Sequence, residues 1–529
     1  MPVTPTYPGL YIEELPLNSH TITPAPTSIT VFVGYTHPYK TKVFGEAVRI
    51  FSFSDYERAF GGLFSSGLVK SRVPDAVYQF YLNGGSDAYV VGLRPKFLDA
   101  SGPVVNVVGQ FSDPQFMPIA KAPATTANAG IVFTAREPTD QIPMRVAISN
   151  LKASSPAPGA PLDTFDVVIT YGTRVESFRG VTINPSGPLP DARISLDTST
   201  LATAAADTGG YGTAMQTGSY PFTQAFPAGF NTTFTEADFI DVFDENTSLD
   251  KVQIFNLLLT PGIYDNAINS AALAFAERKR AFVIMDAPEE AAADDSDPLL
   301  TPVDLLVANK PLSQNGAIYF PYLLSINALT SAQVEIAPSG YVAGIYAKED
   351  VNRGVWKAPA GIETTVLNTT GVVPRGNMTD PRQGVLNPLG INCLRAFPGL
   401  GTVVFGARTL VSGNDAFQQW WYVPVRRMTL FIEQTLLANL RWVVFEPNDE
   451  PLWVAIRTSI ENFMLSLFNQ GALQGSQPSQ AFQVKCDHTT TTQDDINNGI
   501  VNIVVAFAPL KPAEFVIIKI AQLAGQTQA

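Results

Sequence analysis

The sequence predicts an α/β (α+β) multidomain protein: a discontinuous α/β core domain with a β-rich surface insertion, a C-terminal α+β domain, and β arms at both ends. Three observations predict it. Strand-type runs alternate with helix-type periodicity over residues 24–99, and the alternation resumes over residues 251–350. Between residues 100 and 250 it gives way to short alternating pieces in a Pro, Gly, Ala, Ser and Thr-rich background. The last stretch, residues 498–522, holds two strongly β-forming runs close to the chain end. At 529 residues the chain is longer than one hydrophobic core supports. The expected division is an N-terminal arm (1–23), the α/β domain (24–99 and 251–350), the insertion (100–250), a C-terminal domain (351–509) and an arm strand (510–529).

Each element has its own reason. The N-terminal arm sets Pro2, Pro5, Pro8 and Pro16 around the extended piece Leu10-Tyr11-Ile12, a short strand without a core. Residues 28–35 form a buried-type strand. A helix follows from Ser54, read as its N-cap with Glu57 three residues on. Residues 74–82 place Ala76, Val77, Phe80 and Tyr81 at helical spacing before Gly84-Gly85, and residues 87–93 return to strand. In the insertion, residues 145–148 and 165–171 read as strands. The core pattern resumes with residues 254–259, a helix over 266–279, and strands over 281–285 and 317–323. In the C-terminal third, one helix runs over 425–440. Another starts at Asp449-Glu450-Pro451 and ends at Gly471, with Leu452, Ile456, Ile460, Phe463 and Leu467 on one face and Arg457 and Glu461 on the polar face.

Residues 500–508 are nearly unbroken in apolar character, as in a strand buried on both faces. After Pro509 and Pro512 comes Phe515-Val516-Ile517-Ile518-Lys519-Ile520, a second strand-forming run. Such a terminal strand either completes the molecule's own sheet or is lent to a neighbour's sheet edge.

Composition narrows the function. The formal net charge is −13 and there is no basic run, which argues against nucleic acid as a direct partner. From residue 351 onward thirteen Lys and Arg face twelve Asp and Glu, a net of +1, so residues 1–350 carry −14. Charged residues make up only 15% of the chain, a surface suited to cover by other subunits. No apolar run reaches the length of a membrane span, and the N-terminus lacks a signal-type pattern. Cys393 and Cys486 form no metal-type spacing, and His20, His37 and His488 are scattered. Gly62 and Gly67 have phosphate-loop spacing, but Leu68 stands where the lysine belongs. Cys486-Asp487-His488 is read as structural rather than as a thiol nucleophile with its base. No catalytic residue, metal site or cofactor is therefore expected.

Residues 338–361, 387–410 and 420–448 instead mix Trp, Tyr and Arg with Gly and Pro, which suits either binding surfaces or an ordinary core. With Asn448-Asp449-Glu450-Pro451-Leu452-Trp453, Lys485-Cys486-Asp487 and residues 508–515 (APLKPAEF), these blocks resemble the C-terminal half of contractile phage tail sheath proteins and related contractile injection systems. Residues 7–14 (YPGLYIEE) and Asn83-Gly84-Gly85 join the resemblance; residues 100–250 do not. His488 stands where such proteins are expected to carry a basic residue.

The resemblance implies a non-enzymatic structural subunit, homo-oligomeric, stacked in hexameric rings around an inner tube, whose contraction drives the tube through a target envelope. It implies strand exchange through Tyr7, Gly9, Leu10, Tyr11, Ile12 and Glu13 at one end and Phe515, Val516, Ile517, Ile518, Lys519 and Ile520 at the other. It places the C-terminal block against the tube, with Arg457 and Glu461 as candidate tube-facing residues, and the insertion outward. Baseplate and terminal cap proteins would be further partners. Assembly would occur in the bacterial cytoplasm, in a phage tail or phage-tail-like particle. A static shell or baseplate-like protein, or a hydrolase with its site in the insertion, are the alternatives.

Overall fold

The computed structural model describes residues 21–69, 71–99, 106–123, 130–152, 164–181, 196–206, 216–224, 230–231, 235–295 and 299–519. The candidate residues of the N-terminal arm (Tyr7, Gly9, Leu10, Tyr11, Ile12 and Glu13) and Ile520 lie outside them. The chain divides into two compact units. The larger comprises Thr27–Asn352 and Pro359–Val423; the smaller comprises Met1–Pro26, Arg353–Ala358 and Pro424–Ala529.

The larger unit begins with β1 (Thr30–Tyr35), β2 (Ala47–Ile50), α1 (Phe53–Phe60), α2 (Val73–Leu82) and β3 (Ala88–Leu93). The insertion supplies β4 (Ile119–Pro123), β5 (Gly130–Ala135), β6 (Met144–Lys152), β7 (Thr164–Tyr171), β8 (Arg174–Val181), β9 (Ala202–Ala206) and β10 (Gly218–Pro221). The chain then returns through β11 (Leu257–Leu259), α3 (Asn266–Lys279), β12 (Phe282–Asp286), β13 (Gly316–Phe320), α4 (Ser339–Asn352), β14 (Ile391–Phe397) and β15 (Gly401–Val404).

Strands from both sides of the insertion join one eight-stranded sheet in the order β2-β3-β1-β11-β12-β13-β14-β15. The six inner strands are parallel, and β2 and β15 pair antiparallel at the two edges. Every residue of β1, β11, β12 and β13 is buried, as a sheet covered on both faces requires. Successive side chains alternate between the faces. Val31, Val33, Val283 and Met285 share a core with Ile268, Ala272, Leu273 and Ala276 of α3. Phe32 meets Phe80 of α2 edge-on at 5.5 Å, and Phe282 lies 6.5 Å from Tyr346 of α4.

Helix α4 explains the glycine-rich block at residues 338–361. Every residue from Ser339 to Ala347 is buried. A Cβ on Gly340 would lie 2.5 Å from the Ala76 backbone, and one on Gly344 2.7 Å from the Phe80 carbonyl. The small residues let α4 press against α2, so the first half of this block, residues 339–347, is core. The start of α4 is held by Asp286 at the end of β12, whose carboxylate accepts from the Ser339 amide and hydroxyl, each at 2.7 Å, and from the Gly262 amide at 2.8 Å. Burial pushes that carboxyl up to about 6 against these hydrogen bonds.

The insertion forms a four-stranded antiparallel sheet, β8-β7-β6-β10, and a three-stranded one, β9-β5-β4, which share one core. β7 alternates half-buried and buried positions along its whole length, the period-2 pattern of a one-sided sheet. A buried charge cluster ties the insertion to the segment after β1. Glu137, 1% exposed, accepts from His37 Nε2 at 2.8 Å, from Arg174 Nη1 at 2.8 Å and from Lys40 Nζ. Amides of Tyr39 and Lys40 donate to His37 Nδ1, which fixes the neutral Nε2–H tautomer. Burial lowers the His37 pKa, keeping the ring uncharged. Burial raises the Glu137 carboxyl, but the His37 hydrogen bond and the neighbouring cations outweigh it and hold it at about 2.

Several sequence expectations need correction. The α1 N-cap is Ser52, which accepts from the Asp55 amide while the Asp55 carboxylate accepts from the Ser52 hydroxyl and the Phe51 amide; Ser54 lies inside the helix. The strand expected over 317–323 stops at Phe320, because Pro321 has no amide to donate, and a separate strand covers Leu323–Ile326. The sheet also extends past residue 350, since β14 and β15 come from the block at 387–410.

Two outcomes are expected on equilibrium urea unfolding. Gly340→Ala should cost about 1–3 kcal/mol through overpacking against α2. Glu137→Ala should cost about 1–3 kcal/mol by removing the carboxylate that accepts from buried His37 and partly exposed Lys40 and Arg174. Because the Glu137 pKa is depressed from 4.5 to about 2, its contribution is complete above pH 4.5 and is lost as pH falls toward 2. Wild-type and Glu137→Ala thermal midpoints, measured from pH 7 to 2, should converge at the acid end.

Candidate assembly surface in the smaller unit

The smaller unit is built on two helices, α5 (Val423–Asn439) and α6 (Glu450–Asn469), and a hairpin of β16 (Phe482–Lys485) and β17 (Val504–Phe507). Pro424 opens α5. Asp449 caps α6 by accepting from the Leu452 amide at 3.2 Å, with Pro451 in the first turn and Gly471 at φ +74° just beyond the end. The apolar face of α6, with Trp453, Ile456, Ile460, Phe463 and Leu467, packs against Met428, Phe431 and Ile432 of α5. Trp453 Nε1 donates to Asn448 Oδ1 at 2.8 Å, tying the α6 entry loop to the core.

Residues 22–25 lie on α5. Ile22 is buried in the helix core, and the Thr23 backbone exchanges two hydrogen bonds with the Asn439 side chain at 2.9 and 2.8 Å. The Ala25 amide donates to Thr435 Oγ1 at 3.1 Å. The N-terminal segment is thus anchored in this unit.

The hairpin differs from expectation. Residues 500–508 were expected as a strand buried on both faces, but only Val504–Phe507 is strand, alternating exposed and half-buried. Among the described residues it pairs with β16 alone in a two-stranded sheet. After an isolated bridge between Leu473 and Pro509, residues 511–519 make no strand. Phe515, Val516, Ile517 and Ile518 are 74–81% exposed, and Lys519 is exposed. Four consecutive large apolar side chains in water are an unstable surface unless something covers them. Beside the hairpin runs a groove of about 770 Å³ lined by Asn462 and Leu465 of α6 and by Phe482, Val484 and Phe507.

The structure separates the two polar-face residues of α6. Glu461 is exposed and lines the groove. Arg457 is half-buried and donates to the Cys486 carbonyl at 3.1 Å, clamping the loop after β16. No sequence signal marked that loop as its partner. His488 stacks edge-on against Trp453 and lies 3.4 Å from Glu450. Burial pushes the Cys393 thiol to about 12 and the Cys486 thiol to about 11, so neither is a thiolate at neutral pH. Among the described residues no group of His, Cys, Asp and Glu could hold a metal ion, and no helix is long and apolar enough to cross a membrane.

Family models for the phage tail sheath protein central domain and the phage tail sheath C-terminal domain match residues 238–410 and 415–522, together just over half the chain. The tail sheath protein of Vibrio phage KVP40 is 24% identical over 176 residues, covering 33% of this chain and 24% of the relative. A protein named as a prophage major tail sheath protein of Pseudomonas aeruginosa strain UCBPP-PA14 is 26% identical over 264 residues, 49% of this chain and 62% of the relative. The matched parts therefore fall short of two thirds of either relative. Among solved structures, the sheath complex of the extracellular contractile injection system PVC in its contracted state aligns with TM-score 0.58 and 22% identity, covering 98% of each chain. The contracted helical sheath of the anti-feeding prophage aligns with TM-score 0.56 and 22% identity, covering 98% of this chain and all of that one. The fold is shared with these contractile-sheath subunits. The chain belongs to the phage tail sheath family.

The different roles of the two α6 residues can be read in solution. Arg457→Glu should lower unfolding stability by about 1–2 kcal/mol through loss of the Cys486 contact, whereas Glu461→Lys should stay within about 0.5 kcal/mol of wild type.

Proposed function

We propose that this chain is the structural subunit of a contractile sheath. Copies polymerise in hexameric rings around an inner tube, and sheath contraction drives the tube through a target envelope. Baseplate and terminal cap proteins bound the sheath at its ends, assembly takes place in the bacterial cytoplasm, and no catalysis is involved. The observation that carries this reading, beyond family membership, is the exposed run Phe515-Val516-Ile517-Ile518 next to a two-stranded hairpin. A strand-forming tail and an incomplete sheet in one unit complement each other when the tail enters the sheet of a second copy. Residues 7–13 form the second exchangeable arm.

The energetics favour a cooperative lattice. Burying four large apolar side chains contributes about 6–12 kcal/mol at most, and fixing five or so backbone residues costs about 5–10 kcal/mol. One arm alone is near balance; two arms per subunit, joined by β-ladder hydrogen bonds, make a durable net. Rigid bodies linked by such arms can reorient without losing neighbours, and the energy for contraction resides in the packing difference between two lattice states. In this arrangement the smaller unit faces the tube, with Glu461 the better placed of the two candidate residues, and the insertion faces outward.

Deleting residues 510–529 should leave circular dichroism and the thermal midpoint of the soluble subunit unchanged while abolishing the hollow striated cylinders formed by the full chain, as seen by electron microscopy. Cylinders of normal length and number from the truncated chain would reject strand donation by this tail.

A further inference from the structure

Helices α2 and α4 run side by side in the same direction. Gly340 of α4 abuts Ala76, Gly344 abuts Phe80 and Asn83, and Lys348 abuts Gly84 just past the end of α2. Their starts are therefore adjacent, and each start carries a carboxyl that no cation neutralises. Asp286, 1% exposed, closes β12 and holds the first residue of α4 through neutral donors only, the Ser339 amide and hydroxyl and the Gly262 amide. Asp75, in the first turn of α2, is half-buried and makes neither an ion pair nor a side-chain hydrogen bond among the described residues.

The charged groups around the pair are either committed or of the wrong sign. Arg72, just before α2, acts on both carboxyls, but its guanidinium is bound to Glu289 at 2.7 Å. Arg375 is bound to Glu335. Tyr322, after β13, is 2% exposed; its hydroxyl lies near Asp286, Glu289 and Glu290 and has no hydrogen-bond partner among the described residues. Tyr56 of α1, whose buried hydroxyl is also unpartnered, and Tyr341 of α4 lie near Asp75. Two guanidiniums thus stand among five carboxyls, Asp75, Asp286, Glu289, Glu290 and Glu335.

Burial raises both buried-end carboxyls from 3.8 to about 6; Arg72 opposes it at each, and the amide and hydroxyl donors oppose it at Asp286. Folded values above the unfolded one mean that folding takes up protons. The stabilisation is complete below pH 3.8 and is lost as pH rises through about 6. Once protonated, Asp286 can donate to the Ser339 hydroxyl, which accepts as readily as it donates, so the contact with α4 survives while the cost of the buried charge disappears.

We propose that the adjacent starts of α2 and α4 form a proton-operated latch, in which Asp75 and Asp286 bind protons as the medium turns from neutral to mildly acid and the packing of α4 on α2 is held more firmly. The inference concerns the single subunit and does not rest on the sheath reading.

The test follows thermal midpoints of the full chain between pH 8 and pH 5, above the range in which the Glu137 contribution is lost. His37, kept uncharged in the fold, costs stability over the same interval as the unfolded chain takes up its proton, so the latch is read as a difference between wild type and variant. Asp75→Asn and Asp286→Asn each carry a permanently neutral group. The midpoint of each variant minus that of wild type should be about 1–3 °C larger at pH 8 than at pH 5, whatever constant offset the lost carboxylate introduces, and the double variant should show about twice this change. Difference infrared spectra of the wild type should gain a protonated-carboxyl band as pH falls through about 6, and the double variant should lack it. An Asp75→Asn difference that stays constant across the interval overturns the proposal. So does a wild type without the infrared band, a result that requires no variant to fold.

Discussion

An unpaired β-edge and an unpaired β-forming tail are each unfavourable in water, and the smaller unit has both. Among the described residues, backbone donors and acceptors along β16 and β17 have ladder partners on one side only, and the apolar side chains of residues 515–518 are largely exposed. A monomer could remove this cost by folding the tail back onto its own hairpin. Pro509 and Pro512 stand between the hairpin and the tail, and each removes a ladder donor and restricts its predecessor to extended backbone, so the chain is carried outward. In the proposed sheath, the same residues that make the isolated subunit's surface unfavourable would make a lattice of subunits favourable.

Much of the fold was legible because periodicity reports burial. The α6 stripe of Leu452, Ile456, Ile460, Phe463 and Leu467 and the alternation along residues 165–171 reflect helix and sheet geometry directly, and the structure places both as the pattern implies. Runs of uniform apolar character were less informative. Residues 500–508 and the fully buried β1 look alike in sequence, yet one is half-exposed and the other is central. Hydrophobicity says that a strand will be covered, and does not say by which molecule. The glycine-rich block at 338–361 was ambiguous for a related reason: Gly340 and Gly344 permit close approach whether the neighbour is α2 or another subunit.

Features that depend on distant residues were not legible. His37 and Glu137 are a hundred positions apart, and nothing local marks them as the pair that fastens the insertion to the core. Arg457 read as a solvent-facing charge because its acceptor is a backbone carbonyl, which has no signature in sequence. For the candidate assembly surface, residue types gave the strand-forming tail, and the structure gave the groove and the hairpin beside it.

The anchoring of residues 22–25 on α5 has a mechanical consequence. Thr23 and Ala25 are pinned to Asn439 and Thr435, and the other end of the chain leaves through a hairpin packed on α6. Tension applied at the two termini of one subunit therefore runs through a short bundle of two helices and two strands, and the eight-stranded sheet stays off that load path.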